Sequence, residues 1–217
     1  KPLRIEDDIL FSRNTMTQKE IHTYIDQFFE GLQAWRIDEA ILAHIRGQIK
    51  PQRIKSNGVL LAPGHVCTHV YFVIEGCFVC RYINEHEGSA KTINFYSNDL
   101  HPFMACIDSY FSQTPTQCEL RAVSDATVVA FPKRALDQLL DADEALRRFY
   151  YSVVIQALTE ENDLKLKLIA YPSAELYRYI VQELPMVIQK VPAKYIAEFM
   201  GISAEWLSKL KKGAKQR

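Results

Sequence analysis

Three glycines twelve residues apart, Gly64, Gly76 and Gly88, set the most restrictive rhythm in this sequence. Two of them stand in corner dipeptides, Pro63-Gly64 and Glu75-Gly76, and Gln52–Asp99 around them is rich in Val, Ile, Tyr, Phe and Thr. Short β-prone runs cut by turn residues at that spacing predict an antiparallel sandwich or roll. Val70–Ile74 reads as a buried strand, Phe78–Ile83 as its neighbour and Thr92–Tyr96 as a third. A second β stretch, Cys118–Phe131, follows a looped segment containing Pro102 and Pro115.

Helical periodicity takes over on both sides. Ile21, Ile25, Phe28, Phe29 and Leu32 form one stripe and Ile37, Ile41, Leu42 and Ile45 another, closed by Gly47 and Pro51. Beyond Pro132-Lys133, a helical pattern runs from Arg134 through Ile169. Leu146, Tyr150, Val153, Ala157, Leu164 and Leu168 lie on one near-heptad stripe, interrupted by the polar Thr159-Glu160-Glu161-Asn162. A stripe that long, between two modules, is expected to pack both on its own β body and on a second subunit. Leu146–Leu168, with Val153 in it, is therefore the expected seam of a homodimer. Tyr171-Pro172-Ser173 breaks the helix, and Ser173 is expected to cap the next, Ala174–Leu184.

The last stretch, Pro192–Lys212, reads as two short helices around a tight turn. Ala193–Met200 is the first and Ala204–Lys212 the second, with Gly201-Ile202-Ser203 between them. Gly201 can take positive φ and Ser203 can cap the second helix. Ile196, Met200, Ile202, Leu207 and Leu210 supply the inward face, and Ala197 stands where the helices cross. This spacing fits a helix-turn-helix, and an ordinary αα-hairpin is the alternative. Charge favours the first. Lys190–Arg217 carries seven Lys or Arg against two acids, a net of +5, and because the whole chain sums to zero the remainder carries −5. A basic terminal module on a mildly acidic body is the electrostatic footprint of a nucleic-acid reader.

The bulk composition, 48% hydrophobic and 24% charged over 217 residues, is that of a soluble globular protein. Apolar runs stop at five residues, as in Val70–Ile74 and Phe103–Ile107, so no membrane span is expected. The absence of a signal-peptide pattern and an odd count of five scattered cysteines predict free thiols and a cytoplasmic protein. Cys77 and Cys80 have the spacing of a zinc half-site, but residues three apart on a strand point to opposite faces. His65, His69, His86 and His101 lack ligand spacing, and no nucleophile–base or paired-carboxylate constellation stands out. No metal, no cofactor and no enzymatic activity is expected.

The order of modules resembles the Crp/Fnr superfamily of bacterial transcription regulators. The likeness is carried by VYFVIEGCF (Val70–Phe78), INFYSNDL (Ile93–Leu100), RAVSDATVVAF (Arg121–Phe131) and IAEFMGISAEWLSKLKK (Ile196–Lys212), and it is closest to the branch common in Bacteroidetes. The resemblance implies an α+β fold: a cyclic-nucleotide-binding-like antiparallel β-roll with flanking helices, a long dimerisation helix and an all-α helix-turn-helix domain. The implied boundaries are an N-terminal extension at 1–15, the sensor roll at 16–140, the dimerisation helix at 141–170 and the DNA-binding domain at 171–217. The implied partners are double-stranded DNA, a second copy of the chain and RNA polymerase, with an effector left open.

Cyclic-AMP-binding members of that family hold the ribose and phosphate with a Gly-Glu-Leu turn and an Arg-Ser pair. The matching positions here are Pro102, Phe103 and Met104, and Thr116 and Gln117. The carboxylate, the guanidinium and a turn N–H are all missing, so the effector pocket is degenerate and no cyclic AMP binding is expected. In the reading helix the outward positions are Ser203, Ala204, Glu205, Ser208, Lys209 and Lys212. Glu205 can accept from cytosine N4, and Lys209 can reach guanine or phosphate. Family members commonly carry Arg where Ala204 and Lys209 stand, which weakens bidentate guanine reading here. The expected function is a homodimeric DNA-binding regulator. The alternative is a sensor or interaction module that kept the architecture and lost tight DNA binding.

Overall fold

The computed structural model describes residues 23, 26, 39–84 and 86–214. The 1–15 extension and the Ile21–Leu32 stripe lie outside the described residues. Helix α1, Glu39–Gln48, carries Ile41, Leu42 and Ile45 of the second stripe and buries Ile45, while Ile37 lies outside the described residues. Gly47 sits inside its last turn instead of ending it. Pro51 falls in strand β1, Lys50–Ile54, at a sheet edge, where a missing N–H costs no ladder bond.

Among the described residues, eight strands form two antiparallel four-stranded sheets. The first runs β1–β8 (Ala126–Pro132)–β3 (His69–Glu75)–β6 (Phe103–Met104). The second runs β2 (Val59–Leu61)–β7 (Cys118–Ala122)–β4 (Cys77–Asn84)–β5 (Ser89–Ser97). Both sheets give one face to a shared interior containing Val73, Phe78, Met104, Leu120 and Val128. Their other faces are covered too. Val129 and Phe131 meet α1 and later helices, while Cys77, Val79 and Phe95 meet the C-terminal module. Burial on both faces explains why β4 opens as Cys-Phe-Val-Cys and β8 reads Ala-Thr-Val-Val-Ala-Phe, with no polar alternation.

One expectation about this roll is corrected. β3 and β4 are consecutive but do not pair: β3 bonds to β8 and β6, whereas β4 bonds to β5 and β7. The chain crosses from one sheet to the other at Glu75-Gly76. Gly76 has φ +92°, and a Cβ there would stand 2.5 Å from Ala126 Cβ. A side chain is excluded both by backbone conformation and by space.

A short helix α2, Ile107–Ser112, links β6 to β7, and α3, Lys133–Ala142, follows β8. Asp143 then caps α4, Glu144–Ala170, its carboxylate accepting from Leu146 N at 2.6 Å. α4 is continuous through the polar tetrad, and Thr159 turns its hydroxyl back onto Ile155 O at 2.8 Å. Most of the stripe expected to pack on the roll and on a second subunit faces inward, while Ala157 is exposed. Leu146 and Leu164 are buried within their own chain, and Tyr150 and Leu168 pack beside them. What α4 exposes is a second stripe one position round: Tyr151, Ile155, Leu158, Leu166 and Ile169.

Helices α5 (Ser173–Glu183), α6 (Pro185–Lys190), α7 (Ala193–Met200) and α8 (Ala204–Ala214) make up the C-terminal module. Ser173 is the first helical residue and not the cap. Pro172 occupies that place, and no side-chain capping bond is made. Among the described residues no helix is long and apolar enough to cross a membrane.

The crossover at Gly76 yields a direct test. Gly76→Ala is expected to lower stability by at least about 2 kcal/mol through backbone strain and the collision with Ala126. Urea denaturation measures it, with Gly47→Ala, where nothing lies within 4 Å of the new methyl, as the neutral comparison.

Candidate nucleic-acid interface

The helix pair at the C-terminus is built from its turn outward. Gly201 takes φ +65°, and its N–H donates to Glu198 O at 3.2 Å, while Ile202 N donates to Ala197 O at 3.0 Å, closing the end of α7. Ser203 Oγ accepts from Trp206 N at 3.1 Å and so caps α8. Ile196 and Leu207 are fully buried between the helices, and Ala197 is buried at their crossing. This inner scaffold leaves Ser203, Ala204, Glu205, Ser208, Lys209 and Lys212 all exposed on α8, while Lys211 is half-buried.

Trp206 is held within the module. Its indole N–H donates to Ser173 Oγ at 2.9 Å, joining α8 to the start of α5, and Lys209 Nζ lies 5.9 Å from its ring centre. Glu205 sits in the first turn of α8. Its own backbone N–H, and then the Ser203 hydroxyl, hold its carboxyl below the usual carboxylate range.

Nothing in the residue pattern indicates how firmly this module sits on the roll. Across the outer face of the second sheet, register aligns Thr92 with Arg81 and Arg81 with Glu119. Glu198, from the middle of α7, descends onto that row. Arg81 donates to Glu198 through Nε at 3.0 Å and Nη2 at 2.9 Å, and to Glu119 through Nη1 at 2.8 Å. Thr92 Oγ1 donates to the same Glu198 carboxylate at 2.9 Å. Phe95 and Phe199 pack with ring centres 4.8 Å apart alongside. The available signals were a single Arg in the apolar run of β4 and an acid inside a basic helix pair. Neither indicates its partner without the fold.

The five positions assigned to a degenerate nucleotide pocket do not come together. Phe103 and Met104 form β6 and line a cavity of about 310 Å³ between the roll and α4. Its walls are apolar, with Phe72, Phe131, Phe149 and Val153 among them, and Tyr110 closes one side with its hydroxyl buried and unpartnered. Pro102 lies outside this cavity, its carbonyl accepting from Val73 N at 2.8 Å. Thr116 is buried under β7, where its Oγ1 accepts from Cys118 N at 3.0 Å, and Gln117 is exposed. Arg121 offers no spare guanidinium: it donates to both Glu119 oxygens, at 3.0 and 2.8 Å, and to Asn57 O at 2.9 Å. Cys77 and Cys80 point to opposite faces, into separate cores. Among the described residues no group of His, Cys, Asp or Glu is arranged to hold a metal ion.

A double-sheet roll, one long helix and a docked pair of helices around a tight turn define a two-module architecture. Residues 51–143 match the family model of the cyclic nucleotide-binding domain. Solved structures share the whole arrangement. FixK2 from Bradyrhizobium japonicum superposes with a TM-score of 0.63 at 15% identity, over 77% of this chain and 85% of that one. A Crp/Fnr-family transcriptional regulator from Eubacterium rectale gives 0.62 at 13% identity, over 82% and 83%. The c-di-GMP-responsive regulator CLP from Xanthomonas campestris gives 0.60 at 14% identity, over 82% and 92%. The chain thus has the fold of the Crp/Fnr regulators, as its motifs implied. Among curated proteins none matches by sequence.

The Arg81 cluster predicts a pH signature. Burial raises the Glu119 carboxyl, but hydrogen bonds from Arg121 and then Arg81 outweigh it and hold the group below the usual range. A depressed carboxylate stabilises the fold fully above its unfolded value of about 4.3, and that stability is lost as pH falls through the folded value. Arg81→Met is expected to cost about 3 kcal/mol at pH 7, because it strands buried charge. The gap between variant and wild type should close below pH ~4. Urea titrations followed by Trp206 fluorescence measure it, and a pH-independent gap contradicts the assignment.

Proposed function

We propose that this protein is a cytoplasmic DNA-binding transcription regulator that acts as a homodimer and whose roll takes no cyclic AMP. The observation that carries the reading is the set of six exposed positions on α8, backed by a fully buried helix crossing and set in a stretch of net charge +5. A reading helix must present side chains to base edges while its other face holds it rigid, and α8 meets both conditions. The roll supports the negative half of the proposal. Both guanidinium groups of its second sheet are committed, Arg121 to Glu119 and Asn57 and Arg81 to Glu119 and Glu198, and no carboxylate stands at the Gly-Glu-Leu position.

Recognition is assigned to named residues. Glu205 reads one base pair as an acceptor, and Lys209 and Lys212 meet guanine or phosphate. Gel shifts on the protein's own upstream DNA, at stated salt, are expected to show a retarded complex that weakens steeply with salt. Glu205→Ala should relax discrimination at one position by about 1–3 kcal/mol without loss of non-specific binding. Lys212→Ala should weaken all sequences alike and flatten the salt dependence by about one unit of slope. One observation favours a second reading, a sensor module without tight DNA binding: the Glu205 carboxylate is engaged by Ser203 and the helix terminus, and Ala204 and Lys209 lack a guanidinium fork. Wild-type protein that shifts no DNA at low salt selects it.

The dimer contact is assigned to the exposed stripe of α4. Tyr151, Ile155, Leu158, Leu166 and Ile169 range from 56% to 74% exposed, in steps of three or four broken by one eight-residue step across Asn162. Five large apolar side chains along one helix edge fit a parallel seam with a second copy, which would bring two α8 helices to successive major grooves. Ile155→Glu with Leu158→Glu should sediment at half the wild-type mass. Val153→Glu tests the cavity instead, because Val153 lines it.

A further inference from the structure

The cavity between the roll and α4 follows from the way the first sheet ends. Its edge strand β6 is two residues long, so most of the free side of β3 has no strand beside it, and α4 stands there instead. A helix set against a sheet edge leaves space that close packing would otherwise fill, here about 310 Å³. Tyr110 lines that space, and its hydroxyl is shielded from water and bonded to nothing. Gln52 Oε1, the other such atom among the described residues, does not line it. We propose that this cavity binds an uncharged aromatic molecule of one or two rings that brings an acceptor oxygen to the Tyr110 hydroxyl. The proposal concerns the roll and α4 and does not depend on DNA binding.

Volume sets the size of the ligand. An apolar cavity of about 150 Å³ takes one benzene ring, so about twice that space takes two. The walls set its shape. Phe103 stands edge-on to Phe72, with ring centres 5.1 Å apart, and to Phe149 at 6.4 Å. Such edges and faces favour another ring over a flexible chain. Charge is excluded because nothing answers it. Among the described residues no Lys or Arg lines the cavity. Asn94 and Glu161 on its wall are bonded to each other, burial pushes the Glu161 carboxyl up towards its neutral form, and His101 is bonded to Glu160. A phosphate or carboxylate would lose its hydration there with no cation to meet it. The site is accordingly distinct from one for a nucleotide, and Pro102, Thr116 and Gln117 all lie outside it.

Tyr110 supplies the specific contact. Its ring is fixed in place: Lys133 Nζ lies 5.3 Å from the ring centre and is itself tied to Asp137 at 2.7 Å. Burial raises the phenol above its usual range, so the hydroxyl stays a neutral donor at physiological pH. A buried donor left unbonded is destabilising, and a carbonyl oxygen brought to it removes that penalty where a hydrocarbon of the same shape does not. The way in is apolar as well. Ile107 and Phe111 on α2 line the cavity while 60% and 52% exposed, and so connect its interior to the surface.

The test uses the full-length chain and three probes substituted at the same ring position: methyl naphthyl ketone, ethylnaphthalene, which lacks the oxygen, and naphthoate, which is charged. Equilibrium dialysis should show one saturable site per chain for the ketone, binding of the hydrocarbon weaker by about three- to tenfold, and no binding of the carboxylate. Tyr110→Phe should bring ketone and hydrocarbon to equal affinity and leave the hydrocarbon's own affinity unchanged. Val153→Phe, which puts a ring into the space, should abolish binding of both. If Val153→Phe does not fold, the comparison of ketone with hydrocarbon in wild type and Tyr110→Phe still decides. The proposal is overturned if the wild-type chain shows no saturable site for the ketone, binds ketone and hydrocarbon equally or takes up the carboxylate as well. A ketone preference that survives Tyr110→Phe overturns it too.

Discussion

The arrangement of the two modules depends on one guanidinium. Arg81 reaches from the second sheet to Glu119 beside it and to Glu198 above it, and both carboxylates are largely shielded from water. Charges held this far from solvent are stable only while their partners are present. The Glu198–Arg81–Glu119–Arg121 chain is consequently a specificity device: it fixes which part of the sheet α7 can occupy. The surrounding apolar contacts, Phe95 on Phe199 and Val79 within the same core, supply the bulk of the attraction without choosing a register. Because α7 is pinned by its middle, α8 is held with its other face outward.

This division of labour runs through the whole chain. Each sheet is buried on both faces, so the roll is both the core of one module and the platform for the other. The outer face of the first sheet receives α1, α3 and the start of α4, and the outer face of the second receives the helix-turn-helix. Between roll and α4 the packing is incomplete. The aromatic walls of Phe72, Phe103 and Phe149 surround a cavity whose buried polar corner is the unpartnered Tyr110 hydroxyl. Two elements join the roll to the C-terminal module, α4 along one side and the Arg81 row along the other.

Much of this was legible in the residues. The strand runs, the α7–turn–α8 boundaries at Ala193–Met200 and Ala204, and the roles of Gly201 and Ser203 follow from periodicity and capping chemistry, which are local. Pairing was less legible. Val70–Ile74 and Phe78–Ile83 look like a hairpin, and only the positive φ of Gly76 against Ala126 sends them to different sheets. The α4 stripe has the expected spacing, but a heptad pattern does not say whether own chain or second chain covers it; here Leu146 and Leu164 are covered by their own chain. Ser173 looked like a cap and is an acceptor for Trp206, a contact 33 residues away. The candidate nucleotide positions scattered because Phe103 and Met104 form a short strand on the α4 cavity while Thr116 is buried under β7 and Gln117 is exposed. In each case the deciding contact is long-range, and sequence spacing carries no record of it.

The central claim is that the docked module presents α8, and no other basic surface, to DNA. Lysine acetylation of the full-length protein, mapped by mass spectrometry with and without duplex DNA, tests it directly. The account predicts that DNA protects Lys209 and Lys212, while Lys133, paired with Asp137, and Lys167, paired with Asp163, react equally in both samples. Unchanged reactivity at Lys209 and Lys212, with protection appearing on the roll or α4, contradicts it.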